Sequence, residues 1–252
     1  MDLEIAKKVV LITGSTRGIG LAIAKKFYSE GCRVIINSRN LDEVKKIALT
    51  IGKDVKAIAC DVSNPLESNR FMSEIKSFWG RLDILICNVG NGSMMPSGRE
   101  NFDDWQKSFN INFYSATNVI KSTTKLLEQS KGSIVCISSI CGMEILGAPL
   151  PYSVAKKALN VFVRGSSRYL GKKGIRINAV IPGNILFPGS IWEQKIKNDK
   201  SKIKQMIKSE VSLNRFGRAN EIADFVVFLA SPRASFCTGS YIVVDGGQIR
   251  SV

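Results

Sequence analysis

The stretch Thr13-Gly14-Ser15-Thr16-Arg17-Gly18-Ile19-Gly20 follows an apolar run at residues 8–13 and precedes an amphipathic pattern at 18–30. Glycines let a backbone approach a phosphate closely, and a helix N-terminus adds unpaired N–H groups and the positive end of its dipole. A lone glycine triplet is weak evidence. Here it lies at the first strand-to-helix turn, which predicts a phosphate-binding turn formed by Gly14, Ser15, Thr16, Arg17, Gly18, Ile19 and Gly20.

Outward from this turn, apolar runs alternate with amphipathic stretches along the whole chain. Strands are predicted at residues 8–13, 33–37, 55–60, 82–87, 132–138, 175–181 and 241–244. Helical patterns lie near 18–30, 41–51, 65–79, 102–129, 152–171 and 219–230. Continuous β-branched runs between helices are typical of a parallel sheet covered on both faces. We therefore expect an α/β Rossmann fold, a doubly wound seven-stranded parallel sheet, forming one domain over residues 1–252.

The composition narrows the classes of function. The hydrophobic fraction of 44% is that of a globular protein, and no apolar run reaches the roughly 18 residues of a membrane span. The N-terminus, Met1-Asp2-Leu3-Glu4, does not resemble a signal peptide, so we expect a cytoplasmic protein without membrane contact. The net charge of +15 raises the question of nucleic acid, but the lysines are dispersed and not interleaved with aromatic residues. We expect no nucleic-acid partner.

The chain contains no histidine, which excludes Ser-His-Asp and Cys-His catalysis. Its six cysteines are scattered without a Cys-x-x-Cys pair, and most lie in apolar runs typical of core residues. No metal site is expected. Proton chemistry would have to be carried by tyrosine, lysine, a carboxylate or cysteine.

The end of the second strand indicates which dinucleotide the turn would bind. A carboxylate about 20 residues after the glycines would bind the 2′-hydroxyl of NAD, whereas an arginine accommodates the 2′-phosphate of NADP. The strand ends Ile36-Asn37-Ser38-Arg39, and Asp42 comes only in the next helix. Arg17 in the turn offers a second guanidinium. Ser38, Arg39 and Arg17 therefore predict NADP(H).

Tyr152-Ser-Val-Ala-Lys156 lies thirteen residues after Ser139. Residues four apart share a helix face, so the phenol and the ammonium can point into the same space. A phenol keeps its proton up to a pKa of about 10, and lowering this to neutrality needs about 4 kcal/mol of interaction with a nearby cation. Ser139 could hold a substrate oxygen. The pattern alone occurs by chance, commonly on a solvated helix face.

Together, these motifs resemble the single-domain short-chain dehydrogenase/reductases. The glycine turn is followed, in that family's order and spacing, by Asp61-Val62, Cys87-Asn88-Val89-Gly90, Ser139, Tyr152-x-x-x-Lys156 and Pro182-Gly183. The resemblance runs from residue 8 to about 247.

The resemblance implies a role for each matching residue. Tyr152 would be the general acid or base, Ser139 would orient the substrate oxygen, and Lys156 would hold the nicotinamide ribose and lower the phenol pKa. Asn112, rather than the surface residue Asn110, would bend its helix and anchor a proton-relaying water. The implied cofactor contacts are Asp61, Val62, Asn88, Gly90, Tyr152, Lys156, Pro182, Gly183 and Ile185.

Two positions depart from the family pattern. Val89 replaces an alanine, and Phe187 stands where a threonine commonly fixes the nicotinamide amide. Phe187 is therefore expected to shape the substrate pocket. Further pocket residues are expected at Met94, Met95, Met143, Leu146, Leu150 and Trp192.

The lysine-rich segment 183–218 is either a solvated helical excursion or a substrate lid that meets an anionic substrate.

The resemblance implies an oxidoreductase that interconverts carbonyls and alcohols. Residues 213–218 and the closing Asp245-Gly246-Gly247 resemble the 3-oxoacyl-carrier-protein reductase branch, and Lys131, Lys172 and Lys173 could meet a carrier protein. Two alternative functions stay open: a specialised sugar or secondary-metabolite dehydrogenase, and a non-catalytic NADP-binding protein.

The resemblance also implies a homotetramer or homodimer that buries Phe113, Val161 and Phe162.

Overall fold

The structure, a computed structural model, describes residues 1–93 and 97–250. The predicted pocket residues Met94 and Met95 lie outside the described residues. The strands of the described residues are β1 (Val9–Ile12), β2 (Arg33–Ser38), β3 (Lys56–Ala59), β4 (Ile84–Cys87), β5 (Ser133–Ile137), β6 (Arg176–Pro182), β7 (Ile185–Leu186), β8 (Gly217–Arg218) and β9 (Tyr241–Val244). The α-helices are α1 (Gly18–Ser29), α2 (Leu41–Ile51), α3 (Pro65–Trp79), α4 (Phe102–Phe109), α5 (Ser115–Ser130), α6 (Leu150–Lys172), α7 (Ile191–Asn198), α8 (Lys200–Glu210) and α9 (Ala219–Ala230).

Seven strands form one parallel sheet in the order β3-β2-β1-β4-β5-β6-β9. The order reverses between β1 and β4, and Val10 pairs with Val34 on one side and with Ile84 on the other. In such sheets ligands bind outside the carboxyl ends of the strands at this reversal. The predicted doubly wound seven-stranded sheet is confirmed.

Apolar side chains cover both faces of the sheet because neighbouring residues of a strand point to opposite sides. Val10 and Ile12 belong to one core with residues of α1, α2 and α9, while Leu11 and Ile35 belong to a second core with α3, α5 and α6. Phe27 and Phe71 are fully buried in the two cores. Each such side chain stabilises the fold by about 1.5–3 kcal/mol. The six cysteines are free, and Cys32, Cys60, Cys87 and Cys136 are buried, as the apolar runs predicted.

The helix predicted over residues 102–129 is interrupted. A π-helical turn, Asn110–Tyr114, separates α4 from α5. A π turn inserts one extra residue into the helical repeat and is frequent at functional sites. It leaves Asn112 1% exposed and turned inward, while Asn110 is exposed, as predicted.

The segment 183–218 leaves the sheet after β6. Its first strand, β7, pairs in parallel with β8, and this two-stranded sheet brackets helices α7 and α8. Ser190 and Asp199 cap the two helices by accepting hydrogen bonds from Glu193 and Lys202. Both helices of the segment therefore begin at a side-chain cap. None of the helices in the described part of the chain is both long and apolar enough to span a membrane.

Candidate active site

The glycine turn between β1 and α1 has a fixed backbone shape. Gly14 and Gly18 have φ values of 60° and 56°, a region that favours glycine. Ser15 is buried and donates a 2.8 Å hydrogen bond to the carbonyl oxygen of Ile12. The amide N–H of Gly14 points to the side-chain oxygen of Asn37 at 3.4 Å. Helix α1 therefore begins directly at the carboxyl edge of the sheet.

Helix α1 begins without a side-chain cap and without an acidic residue in its first turn. By contrast, Asn40, Asn64 and Asn101 cap α2, α3 and α4. The first N–H groups of a helix have no partner inside the helix, so they need one elsewhere. An anion fits this position because both the N–H groups and the helix dipole attract negative charge.

Asn88, just after β4, ties the turn to the neighbouring strand. Its side-chain nitrogen donates to the carbonyl oxygens of Thr13 and Gly14 at 3.1 and 2.8 Å, and its backbone N–H donates to the Thr13 hydroxyl at 3.0 Å. A Cβ at position 20 would lie 2.5 Å from the oxygen of Gly14. The turn therefore accepts only glycine at this position.

A cleft of about 970 Å³ opens beside this turn. Its walls bring together most of the predicted site: Gly14, Thr16, Arg17, Ile19, Ser38, Arg39, Asp61, Val62, Asn88, Gly90, Tyr152, Lys156 and Phe187. Two arginines, Arg17 and Arg39, line the cleft, as does Glu43. Asp61 accepts hydrogen bonds from the N–H and hydroxyl of Ser63, at 2.9 and 2.7 Å.

Six of the predicted cofactor contacts do not line this cleft: Ser15, Gly18 and Gly20 of the glycine turn, and Pro182, Gly183 and Ile185. Pro182 is buried at the end of β6, and a Cβ on Gly183 would lie 2.7 Å from Asp245. Ile185 is buried in β7 and borders a separate cavity of about 240 Å³. Phe187, the departure from the family pattern, lies against the glycine turn instead. A Cβ on Gly18 would lie 2.6 Å from its ring.

The π turn places Asn112 beneath the cleft. Its side-chain oxygen accepts a 2.8 Å hydrogen bond from the N–H of Asn91, and its nitrogen donates to the carbonyl oxygens of Asn91 and Ser108, each at 3.1 Å. A Cβ on Gly90 would lie 3.2 Å from the Asn112 oxygen and 2.9 Å from the Lys156 nitrogen. Asn112 and Lys156 therefore converge on one point.

Tyr152 lies near the start of α6, and Ser139, which follows β5, is close enough to the phenol to act on its pKa. Burial by protein atoms raises the pKa of Tyr152 to about 12, and Ser139 opposes this rise. The sequence pattern led to the opposite expectation, a pKa lowered by Lys156. The direction differs because the Lys156 ammonium lies 6.0 Å from the Tyr152 ring centroid and bonds elsewhere.

Lys156 is 3% exposed and donates a 2.9 Å hydrogen bond to the carbonyl oxygen of Ile137. Burial lowers its pKa to about 8, while the neighbouring Cys136 and Cys87 act in the other direction. At neutral pH the site therefore holds a protonated phenol beside a cation whose charge is easily lost.

A family model described as enoyl-(acyl carrier protein) reductase matches residues 14–248. This chain belongs to the short-chain dehydrogenase/reductase family. The 3-oxoacyl-[acyl-carrier-protein] reductase FabG of Aquifex aeolicus is 34% identical over 98% of this chain and all of its own length. An uncharacterised oxidoreductase of Bacillus subtilis, YvrD, is 33% identical over the full length of both chains. The L-sorbose reductase of Gluconobacter frateurii, solved with NADPH and L-sorbose, superimposes with a TM-score of 0.94 at 31% identity, over 100% of both chains.

In this short-chain dehydrogenase/reductase, sequence patterns did not single out Asn37 and Asn91. Asn37 is 1% exposed and donates to the carbonyl oxygens of Ile58 and Cys60, each at 3.1 Å, which fixes the end of β2 against β3. One signal was available, since Asn37 is a polar residue closing an apolar run. Asn91 binds Asn112 through its backbone, so no pattern of side chains in the sequence could indicate its role.

Proposed function

We propose that this protein is an NADP(H)-dependent oxidoreductase that interconverts a carbonyl and a secondary alcohol, with Tyr152 as the general acid or base. The observation that carries the proposal is that Tyr152 and Lys156 line the same cleft as the uncapped glycine turn. A phosphate-binding turn and a proton donor that line one cleft suit a dinucleotide that reaches from one to the other.

The residues of the turn fit a dinucleotide. Gly14 and Gly18 hold backbone conformations that favour glycine, and the first N–H groups of α1 suit a pyrophosphate. Asp61 and Val62 would contact the adenine, Asn88 and Gly90 the adenosine ribose, and Lys156 the nicotinamide ribose. When bound, NADP(H) supplies or accepts the hydride.

The protein's own contribution is proton delivery and orientation. Because the pKa of Tyr152 is raised to about 12, the phenol stays protonated at neutral pH and is ready to donate to a carbonyl oxygen. Ser139, close to Tyr152, would hold that oxygen in place. Asn112 and Lys156 converge beside Gly90, an arrangement that supports proton exchange through a bridging water.

The preference for NADP(H) over NAD(H) rests on Arg17 and Arg39. Both are exposed and line the cleft, Arg39 directly after β2 and Arg17 in the glycine turn, and Ser38 adds a hydroxyl. A guanidinium binds phosphate through two parallel hydrogen bonds. Glu43 also lines the cleft, so both arginines are needed to give a phosphate a net attractive field.

A small-molecule substrate is favoured over a carrier-bound one. Lys173 forms an ion pair of 2.9 Å with Glu128, and Lys131 donates to the carbonyl oxygen of Lys173 at 3.4 Å. Two lysines that could meet an acidic carrier protein therefore already have partners within the chain. Reduction of carrier-linked 3-oxoacyl groups stays the second candidate, supported by the FabG relative.

We also infer a homotetramer or homodimer. Val161 on α6 is 62% exposed. Phe113 and Phe162 pack against each other within the chain, with their ring centroids 5.9 Å apart. An apolar residue exposed in this way on a long helix is typical of a subunit interface. Light scattering of the purified protein measures the mass directly.

A carbonyl and alcohol screen tests the proposed function. Purified protein is mixed with NADPH or NADH and a panel of ketones, sugars and 3-oxoacyl thioesters, and cofactor absorbance is followed. Oxidation of NADPH, with a lower kcat/KM for NADH, is the expected result. Equal or better use of NADH would overturn the role of Arg17 and Arg39, and binding of NADPH without turnover on any substrate would favour a non-catalytic protein.

A further inference from the structure

Asn160 continues the row of α6 that carries Tyr152 and Lys156. It lies four residues after Lys156 and eight after Tyr152, and residues four apart share a helix face. Asn160 is only 2% exposed. Asparagine is not a strong helix former, and a buried amide needs hydrogen-bond partners. What the side chain of Asn160 binds therefore bears on the neighbouring site.

The side chain of Asn160 binds the turn that follows β5. Its nitrogen donates a 3.3 Å hydrogen bond to the carbonyl oxygen of Gly142 and a 3.5 Å hydrogen bond to the sulfur of Met143. The N–H of Gly142 donates in turn to the carbonyl oxygen of Ser139 at 2.9 Å. Two hydrogen bonds through Gly142 thus connect Asn160 to Ser139.

The turn is closed by its own hydrogen bonds, so its residues are held together. The hydroxyl of Ser139 accepts a 3.2 Å hydrogen bond from the N–H of Cys141 and so caps the 3₁₀ turn Ile140–Gly142. The N–H of Met143 donates to the carbonyl oxygen of Ile140 at 2.8 Å. Because these bonds overlap along the chain, a displacement of Gly142 would also displace Ser139.

The turn packs directly on the backbone of α6. A Cβ on Gly142 would lie 2.8 Å from the carbonyl carbon of Lys156. Lys156 itself donates a 2.9 Å hydrogen bond to the carbonyl oxygen of Ile137. Lys156 therefore binds the segment 137–143 before Ser139, and Asn160 binds it after Ser139.

The two polar atoms of the Asn160 side chain differ in their surroundings. The side-chain oxygen is buried and finds no hydrogen-bond partner within residues 1–93 and 97–250, whereas the nitrogen binds the turn. An unpaired buried oxygen destabilises a folded protein. The backbone of Asn160 is fixed separately, because its carbonyl oxygen accepts a 2.6 Å hydrogen bond from the hydroxyl of Tyr241. The contact with Gly142 is therefore what the side chain adds.

We propose that Asn160 is a positioning residue that keeps the Ser139 hydroxyl aligned with the Tyr152 phenol by binding Gly142. This inference rests on the proposed function, since it concerns the alignment of the substrate oxygen in the same site. Asn160 does not line the cleft, so it acts through Ser139. A small displacement of a group that orients the substrate slows the reaction without weakening cofactor binding.

A double-mutant cycle with Ser139 tests this role. Asn160→Leu keeps a side chain of similar size and removes the donor to Gly142. We expect kcat for NADPH-dependent carbonyl reduction to fall about 10-fold, with the Kd for NADPH within about twofold of the wild type. In a Ser139→Ala background the same change should cost less than about twofold, because the group that Asn160 positions is already absent.

Two further variants complete the experiment. Tyr241→Phe removes the hydrogen bond to the backbone of Asn160 and leaves its side-chain contact in place, so kcat should stay within about twofold of the wild type. Asn160→Ser removes the contact with Gly142 in a second way, because a short hydroxyl on a helix bonds within its own helix. It should reproduce the kcat loss and the cycle of Asn160→Leu, and it takes the place of that variant if Asn160→Leu does not fold.

Three results would overturn the inference. Wild-type kcat in the Asn160 variants removes the role of Asn160 and leaves the proposed function intact. Losses that multiply with that of Ser139→Ala assign Asn160 a general structural role, also with the proposed function intact. A wild type that oxidises no NADPH with any carbonyl overturns the proposed function itself and this inference with it.

Discussion

Lys156 donates a 2.9 Å hydrogen bond from its ammonium to the carbonyl oxygen of Ile137, the last residue of β5. The side chain is 3% exposed, and burial lowers its pKa to about 8. The fold therefore places a cation where water no longer stabilises it. A buried ammonium of this kind destabilises the folded protein.

Replacement of this cation should stabilise the protein. We predict that Lys156→Met raises the free energy of unfolding at about pH 7 by about 1–2 kcal/mol, since the cost of burying the charge outweighs the lost hydrogen bond. The folded pKa lies below the unfolded value, so the unfolded chain binds more protons between these pKa values. The stability of the wild type rises across that interval, and the advantage of the variant should shrink.

Urea unfolding at neutral pH and at a pH above 10 measures this difference. Lys157→Met is the matched control, because Lys157 is exposed on the same helix and should change stability at neither pH by more than about 0.5 kcal/mol. A less stable Lys156→Met protein at neutral pH would contradict the assignment of Lys156 as a destabilising buried charge.

The lowered pKa of Lys156 also predicts how activity depends on pH. Because kcat/KM for NADPH reports the free enzyme, it should fall as pH rises through about 8, where Lys156 loses its proton. Tyr152 should add no further step below about 12. Stopped-flow measurements of NADPH oxidation across pH give the profile. A flat profile up to pH 10 would show that the charge of Lys156 does not act in cofactor capture.

Asn112 offers a comparison with its near neighbour Asn110. Asn112→Ala leaves the N–H of Asn91 without its acceptor and frees the loop beside Tyr152, so we predict a loss of about 1–3 kcal/mol in stability and a lower kcat. Asn110→Ala should change stability by less than about 0.5 kcal/mol, because Asn110 is exposed. Thermal unfolding and single-turnover rates measure both effects. Equal behaviour of the two variants would remove Asn112 from the site.

Two glycine-to-alanine substitutions distinguish a glycine that close packing requires from one that only lowers helix propensity. Gly20→Ala places a Cβ 2.5 Å from the oxygen of Gly14, so we expect NADPH binding to be lost or weakened by about 10-fold or more. At Gly171 in α6 nothing lies within 4 Å of a new Cβ, so Gly171→Ala should stabilise the helix by about 0.5–1 kcal/mol and leave binding unchanged. Fluorescence titration with NADPH distinguishes them; unchanged binding in Gly20→Ala would contradict the assigned turn.

The elements with strong periodicity were predictable from sequence, and those set by tertiary contacts were not. Continuous apolar runs located all seven strands of the main sheet. The choice of Asn112 over Asn110 followed from the family resemblance, and Asn112 is the buried one of the two. The resemblance implied a bend of the helix at Asn112, but the π turn itself was not predicted because Asn112 bonds the backbone of Asn91, which is distant in sequence. The pKa of Tyr152 had the wrong expected direction, since helix spacing places Lys156 on the same face but does not reveal burial.

The central claim is that Tyr152 delivers the proton in a cleft that binds NADP(H). The most direct measurement combines NADPH fluorescence titration with NADPH-dependent carbonyl reduction for the wild type and Tyr152→Phe. We predict that the variant binds NADPH within about twofold of the wild type and reduces carbonyls at least about 100-fold more slowly. A Tyr152→Phe protein that keeps the wild-type turnover would contradict the account.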